Sequence, residues 1–177
     1  MTAAERAARV RMLILDVDGV LTDGRLYYGA AGEALKAFNV RDGHGIKLLR
    51  EAGIDVAVLT ARQSEIVATR ARELGIERVV QGAANKVAGF DRLIGATGIS
   101  EQDCGYVGDD WPDLAVLARV GFAATVADAA PEVRAAAHWV SSAPGGHGAV
   151  REVAEFVLRA QGRFEALFAH HRGSSHA

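Results

Sequence analysis

The sequence predicts an α/β fold in three layers, with helices covering both faces of a central, mostly parallel sheet. Two observations carry this reading. Short continuous apolar runs alternate with longer helical patterns, as expected of strands buried on both faces and the helices that connect them. Gly53 and Gly75 stand just past two of the helical stretches, where a left-handed residue ends a helix. A third feature breaks the alternation. A hairpin pattern follows the first strand, which places an insertion at the sheet's C-terminal end, where open α/β sheets bind ligands.

Taken in order, residues 1–10 read as a charged helix and 12–15 as the first strand. Residues 25–28 and 34–38 flank a Gly-bearing loop and read as a β-hairpin, an insertion spanning about 25–38. Further strands are expected at 55–59, 78–80, 104–107, 121–126 and 138–140. Helices are expected at 43–52, 64–74, 85–96, 112–119, 131–136 and 148–161. Residues 164–177, with His170, His171 and His176, read as a flexible tail. The whole, 1–177, is expected to be a single Rossmann-like domain.

Composition narrows the function. Twenty Lys and Arg against 22 Asp and Glu give a net charge of −2, which disfavours a nucleic-acid binder. Half of the residues are hydrophobic, which disfavours disorder. The single cysteine, Cys104, cannot form an internal disulfide and is assigned to packing. No run approaches the roughly 20 apolar residues of a membrane span, and the N-terminal stretch carries no secretory cleavage pattern. A soluble cytoplasmic protein without nucleic-acid or membrane partners is expected.

The strongest chemical signal is Asp16-Val-Asp18-Gly19-Val-Leu-Thr22, directly after the first strand. Two carboxylates at i and i+2 can reach one site if the chain turns, and Gly19 permits the turn. Carboxylates so close repel and require a cation, for which Mg²⁺ with a phosphate ligand is the common solution. The bland alternative is a pair of surface loop acids. A second acidic cluster, Gly108-Asp109-Asp110-Trp111-Pro112-Asp113, follows a later strand. Asp110 and Asp113 suit helix capping before or around Pro112, whereas Asp109 sits at the strand end as Asp16 does. Thr60 ends a strand ahead of a helix and suits a phosphate oxygen, though a plain capping threonine is the simpler reading. Lys86 opens a helix, where a cation opposes the dipole and calls for an anion nearby. All four signals lie past strand ends and converge on one sheet edge, in the manner of a phosphoryl-transfer site.

These motifs, in this order, resemble the haloacid dehalogenase superfamily of phosphatases, and the small hairpin resembles its minimal-cap subgroup. Longer stretches narrow the resemblance: Ala37-Phe-Asn39-Val-Arg41-Asp42-Gly43, Gln81-Gly82, Val126-Ala-Asp128 and Gly145-Gly-His147-Gly. The resemblance implies a nucleophile, Asp16, and an acid/base, Asp18. It implies Mg²⁺ held by Asp16, the Asp18 backbone carbonyl and Asp109, phosphate held by Thr60 and Lys86, and Asp110 and Asp113 behind the ligands. It further implies a homotetramer with active sites near subunit interfaces. The implied substrate is a small phosphorylated sugar acid, 3-deoxy-D-manno-octulosonate 8-phosphate, on the route to lipopolysaccharide. Arg62, Asn39, Arg41, Asp42 and His147 are the candidate substrate contacts. His147 stands where the family often has Arg, and Ala61 where Gly is usual. A nine-carbon sugar-acid phosphate is the alternative substrate, with Arg62 favouring the eight-carbon one. A phosphoacceptor signalling domain would carry its acidic motifs in another order, and an inactive scaffold would not need all five of Asp16, Asp18, Thr60, Lys86 and Asp109.

Overall fold

The computed structural model describes residues 1–173. A six-stranded sheet in the order β5-β4-β1-β6-β7-β8 forms the centre, and every neighbouring pair is parallel. Its strands are β1 (Met12–Leu15), β4 (Asp55–Leu59), β5 (Arg78–Val80), β6 (Cys104–Val107), β7 (Phe122–Thr125) and β8 (Trp139–Val140). Every residue of β1, β6 and β7 is buried, because helices cover the sheet on both faces. On one side α2 (Val40–Glu51) and α7 (Ala149–Ala160) pack together, with α1 (Ala3–Ala7) against α7. On the other, α4 (Lys86–Gly95) packs on α5 (Leu114–Leu117), which meets α6 (Pro131–Ala136). The predicted three-layer α/β architecture is the observed one.

The chain order creates a crevice. From β1 the chain runs outward through β4 and β5, then crosses to β6 and runs outward the other way through β7 and β8. The connections leave β1 and β6 in opposite directions, so the space past their C-terminal ends stays open for a ligand.

The hairpin sits where expected, as β2 (Tyr27–Gly29) and β3 (Gly32–Leu35), with a tighter turn than the sequence suggested. Its strands bury almost nothing within the protomer.

One expectation fails. The tail from 164 onward is instead a helix, α8 (Phe164–Gly173), as far as the described residues reach. Phe164 and Leu167 pack against the core, and the Arg159 guanidinium lies 3.5 Å over the Phe164 ring. Gly162, at φ +67°, lets the chain turn back after α7. His170 and His171 therefore lie on a helix, while His176 is outside the described residues. Trp111, in the second acidic segment, is 63% exposed, its indole N–H donating to Glu132. Cys104 is buried in β6, and the burial pushes its thiol up to about 12. His138 accepts from the Ala123 N–H at 2.9 Å, and His44 faces a small cavity between α2, α7 and α8.

Candidate active site

Asp16 follows β1 immediately, and its backbone N–H still continues the ladder to Val107 of β6 at 3.0 Å. That pairing holds the residue at the mouth of the crevice. Its side chain is buried: Oδ1 accepts from the Val17 N–H at 2.7 Å and Oδ2 from Lys86 Nζ at 2.7 Å. Lys86 is the first residue of α4, whose N-cap is Asn85, and its ammonium is 5% exposed. It bridges Asp16 to Asp113, 2.5 Å away.

Asp113 is the hub of the second acidic segment. One of its oxygens takes Lys86 and the Tyr106 hydroxyl, each at 2.5 Å; the other takes the N–H groups of Asp109 and Asp110, at 3.1 and 3.2 Å. All four acceptor positions of a carboxylate are then in use. Asp110 caps the 3₁₀ turn Trp111–Asp113 through the Trp111 N–H, in a capping box with Asp113. The capping reading of Asp110 is thus the observed geometry, and Asp113 orients the segment that carries Asp109.

Carboxylate oxygens of Asp16, Asp109 and Asp113 lie within 4.8 Å of one another. Among the described residues, only Lys86 pairs with them, through Asp16 and Asp113. Burial raises Asp16 to about 6, with Asp113 adding to the shift and Lys86 opposing it. Burial, then Asp16 and Asp113, pushes Asp109 up to about 7. Burial alone would lower Lys86, but Asp16 and Asp113 outweigh it and hold the ammonium above the usual lysine range. Among the described residues, no hydrogen-bond donor reaches the Asp109 carboxylate. A half-buried, crowded carboxylate facing a second carboxylate through hard oxygen atoms fits a divalent cation such as Mg²⁺. Gly19, at φ +89°, makes the close approach possible: a Cβ there would stand 2.0 Å from Asp109 Oδ2.

A cavity of about 300 Å³ opens over this cluster, lined among others by Asp16, Asp18, Thr60, Arg62, Lys86 and Asp109. A larger concavity, about 660 Å³, lies elsewhere, along α3 (Glu65–Glu73) and β5, and holds no such cluster of carboxylates. Thr60 is buried at the end of β4, held by its N–H to Val80. Asp18 turns to other partners: its Oδ1 pairs with Lys36, and Arg62 Nε lies 3.8 Å from its Oδ2. Arg62 also donates to the Tyr28 hydroxyl of the hairpin at 2.9 Å.

Several sequence candidates are not brought to the cavity. Asp42 is buried and accepts from the N–H groups of Gly148 and Arg151, at 3.3 and 2.8 Å, so it ties α2 to the start of α7. Asn39 caps α2 through the Arg41 N–H at 2.8 Å and reaches the Gly146 carbonyl at 3.4 Å. Arg41 and His147 are exposed and do not line the cavity within the protomer. Sequence reasoning missed Tyr106, Lys36 and Glu33. Tyr106 reads as a strand apolar, and Lys36 as a solvated hairpin lysine; nothing in their local pattern marks a polar partner.

The parallel sheet, its hairpin and the carboxylate–lysine centre at the β1/β6 crevice define a class. The chain belongs to the haloacid dehalogenase-like hydrolases, whose family model matches residues 63–152. It is 45% identical over 161 residues to the 3-deoxy-D-manno-octulosonate 8-phosphate phosphatase of Yersinia pestis, covering 91% of this chain and 86% of that protein. The enzyme of the same name from Escherichia coli K12 is 46% identical over 160 residues, covering 90% and 85%. The crystal structure of the Moraxella catarrhalis enzyme, in complex with magnesium ion, phosphate ion and a KDO molecule, superposes with a TM-score of 0.92 at 39% identity, covering 95% of this chain and 97% of that one.

Proposed function

We propose that this chain is a Mg²⁺-dependent phosphomonoester hydrolase that releases phosphate from 3-deoxy-D-manno-octulosonate 8-phosphate, leaving the free sugar acid. The observation that carries the chemistry is the convergence of the Asp16, Asp109 and Asp113 carboxylates beneath a polar cavity, with Lys86 pairing Asp16 to Asp113. The relatives' shared name supports the substrate, and so does Arg62 at the cavity, whose guanidinium suits a sugar carboxylate. The role suits one domain spanning 1–177 in the cytoplasm, on the route to lipopolysaccharide.

Asp16 is the nucleophile. Val17 N–H and Lys86 grip its two oxygens and fix the attacking carboxylate, which favours in-line approach to phosphorus. As the Asp16–phosphorus bond forms, the bond from phosphorus to the sugar oxygen breaks, and Asp18 gives that oxygen a proton. Asp18, now a carboxylate, takes a proton from water as the water attacks the aspartyl-phosphate; phosphate departs and Asp16 is restored. Lys86 and Thr60 hold phosphoryl oxygens. Asp16, Asp109 and the Asp18 backbone carbonyl would hold Mg²⁺, which neutralises charge on the transferring group. Asp113, with its acceptor positions filled, keeps Lys86 and the Asp109 backbone in place.

The test is phosphate release with Mg²⁺ from a panel of eight- and nine-carbon sugar-acid phosphates and ordinary sugar phosphates, with Asp16→Asn as control. Preference for the eight-carbon acid, lost in the variant, is the expected result. Equal turnover of many sugar phosphates would retain the mechanism and remove the substrate; release that persists in Asp16→Asn would remove the mechanism.

A further inference from the structure

Lys36 stands one residue past β3, in a hairpin that is otherwise exposed, yet its side chain is 1% exposed. Burying an ammonium is costly unless it is paired. Here it is paired twice, with Asp18 Oδ1 and, at 2.9 Å, with Glu33 Oε1. The other oxygen of Glu33 accepts from the Ser64 hydroxyl. Ser64 is the N-cap of α3, and its backbone N–H is fixed by the Gln81 side chain at 2.7 Å. A continuous polar chain thus runs from the rigid start of α3 through Glu33 and Lys36 to Asp18. Nothing in β2 or β3 buries enough surface to hold this end of the hairpin, so the chain also anchors it.

We propose that Lys36 is a positioning residue for the reaction: supported by Glu33 and Ser64, it fixes the Asp18 carboxylate on the substrate side of the cavity and leaves Arg62 for the substrate. This rests on the reading of Asp18 as the proton-transfer group. The geometry explains why Arg62, although near, is not spent on Asp18. At 3.8 Å it is beyond hydrogen-bond distance, and its Nε has no hydrogen-bond partner among the described residues. It also gives the hairpin a part in the chemistry. Whatever orders β3 orders Lys36, and through it Asp18.

The experiment uses the full-length enzyme and the best substrate from the panel above. Lys36→Met is expected to lower kcat about 10- to 100-fold while KM stays within about threefold, because the interaction acts on the reacting geometry. Lys36→Arg should recover part of the loss, and Glu33→Gln should give a smaller loss in the same direction. Glu33→Gln carries the same test if Lys36→Met fails to fold. In an Asp18→Asn background, adding Lys36→Met should cost nothing more, since Lys36 acts through Asp18. Unchanged kcat in folded Lys36→Met would overturn the proposal; so would a loss confined to KM, or a full further loss on top of Asp18→Asn. Full turnover by Asp18→Asn alone would instead remove the proton-transfer role itself, a separate result read from a separate variant.

Discussion

Among the described residues, Lys86 is the cationic side chain that the buried carboxylates of Asp16 and Asp113 share. Replacing it by Met leaves Asp16 and Asp113 facing each other without a counter-charge. Breaking a buried pair in this way costs about 3–5 kcal/mol, so Lys86→Met should lose phosphate release and unfold at distinctly lower denaturant, read by a urea titration. The same crowding sets a pH dependence. Burial raises Asp109 to about 7 and Asp16 to about 6, whereas both titrate near about 4 in an unfolded chain. Between those limits the folded chain keeps protons that the unfolded chain has released, so this cluster's contribution to stability declines as pH rises from about 4 to about 7. Metal-free protein in chelator should therefore show a melting temperature that this cluster pulls down toward pH 8. The slope should shrink in Asp109→Asn and flatten when Mg²⁺ is added. An identical slope in wild type and Asp109→Asn would contradict this account.

At the scale of elements, helix starts and strand ends do most of the placing. Asp16, Thr60 and Asp109 each follow a strand closely, and Lys86 opens a helix, so backbone pairing sets these four positions before any side chain packs. Asp42 shows the other use of a carboxylate. It sits on α2 and accepts the N–H groups of Gly148 and Arg151 at the start of α7, where orphan donors and the dipole favour an anion. Asp42→Ala should lose about 1–3 kcal/mol of stability, the cost of unsatisfied buried donors, while KM stays unchanged because Asp42 does not line the cavity. A raised KM with unchanged stability would return Asp42 to the substrate. The sequence motif around Asn39, Arg41 and Asp42 is legible as a motif; within the protomer Asp42 ties α2 to the start of α7, Asn39 caps α2, and Arg41 is exposed.

For the whole molecule, five of the eight exposed large apolar side chains among the described residues gather on and beside the hairpin: Leu26, Tyr27, Tyr28, Leu35 and Val40. A two-stranded hairpin with this surface is marginal alone and would gain from packing against other copies. The expected homotetramer would cover it and bring neighbouring chains to the cavity mouth. Leu35→Glu should then give a smaller species by light scattering and a matching fall in turnover. A wild-type protein that is monomeric at assay concentration would remove this expectation.

The alternation of apolar runs and helical patterns determined the layers, the parallel sheet and the sites after its strands, because burial on both faces leaves a strand no polar positions. The spacing of Asp16, Asp18, Thr60, Lys86 and Asp109 determined the reaction class, because these positions are tied to strand ends that the local pattern reveals. Tertiary structure alone decided the partners. Asp113 meets Lys86 and Tyr106 across 27 and 7 residues, and Lys36 meets Asp18 across 18. It also decided that residues 164–173 form a helix against α7, and that Trp111 faces solvent. Such contacts depend on which elements the fold brings together over long stretches of chain, and no local period or spacing encodes that distance.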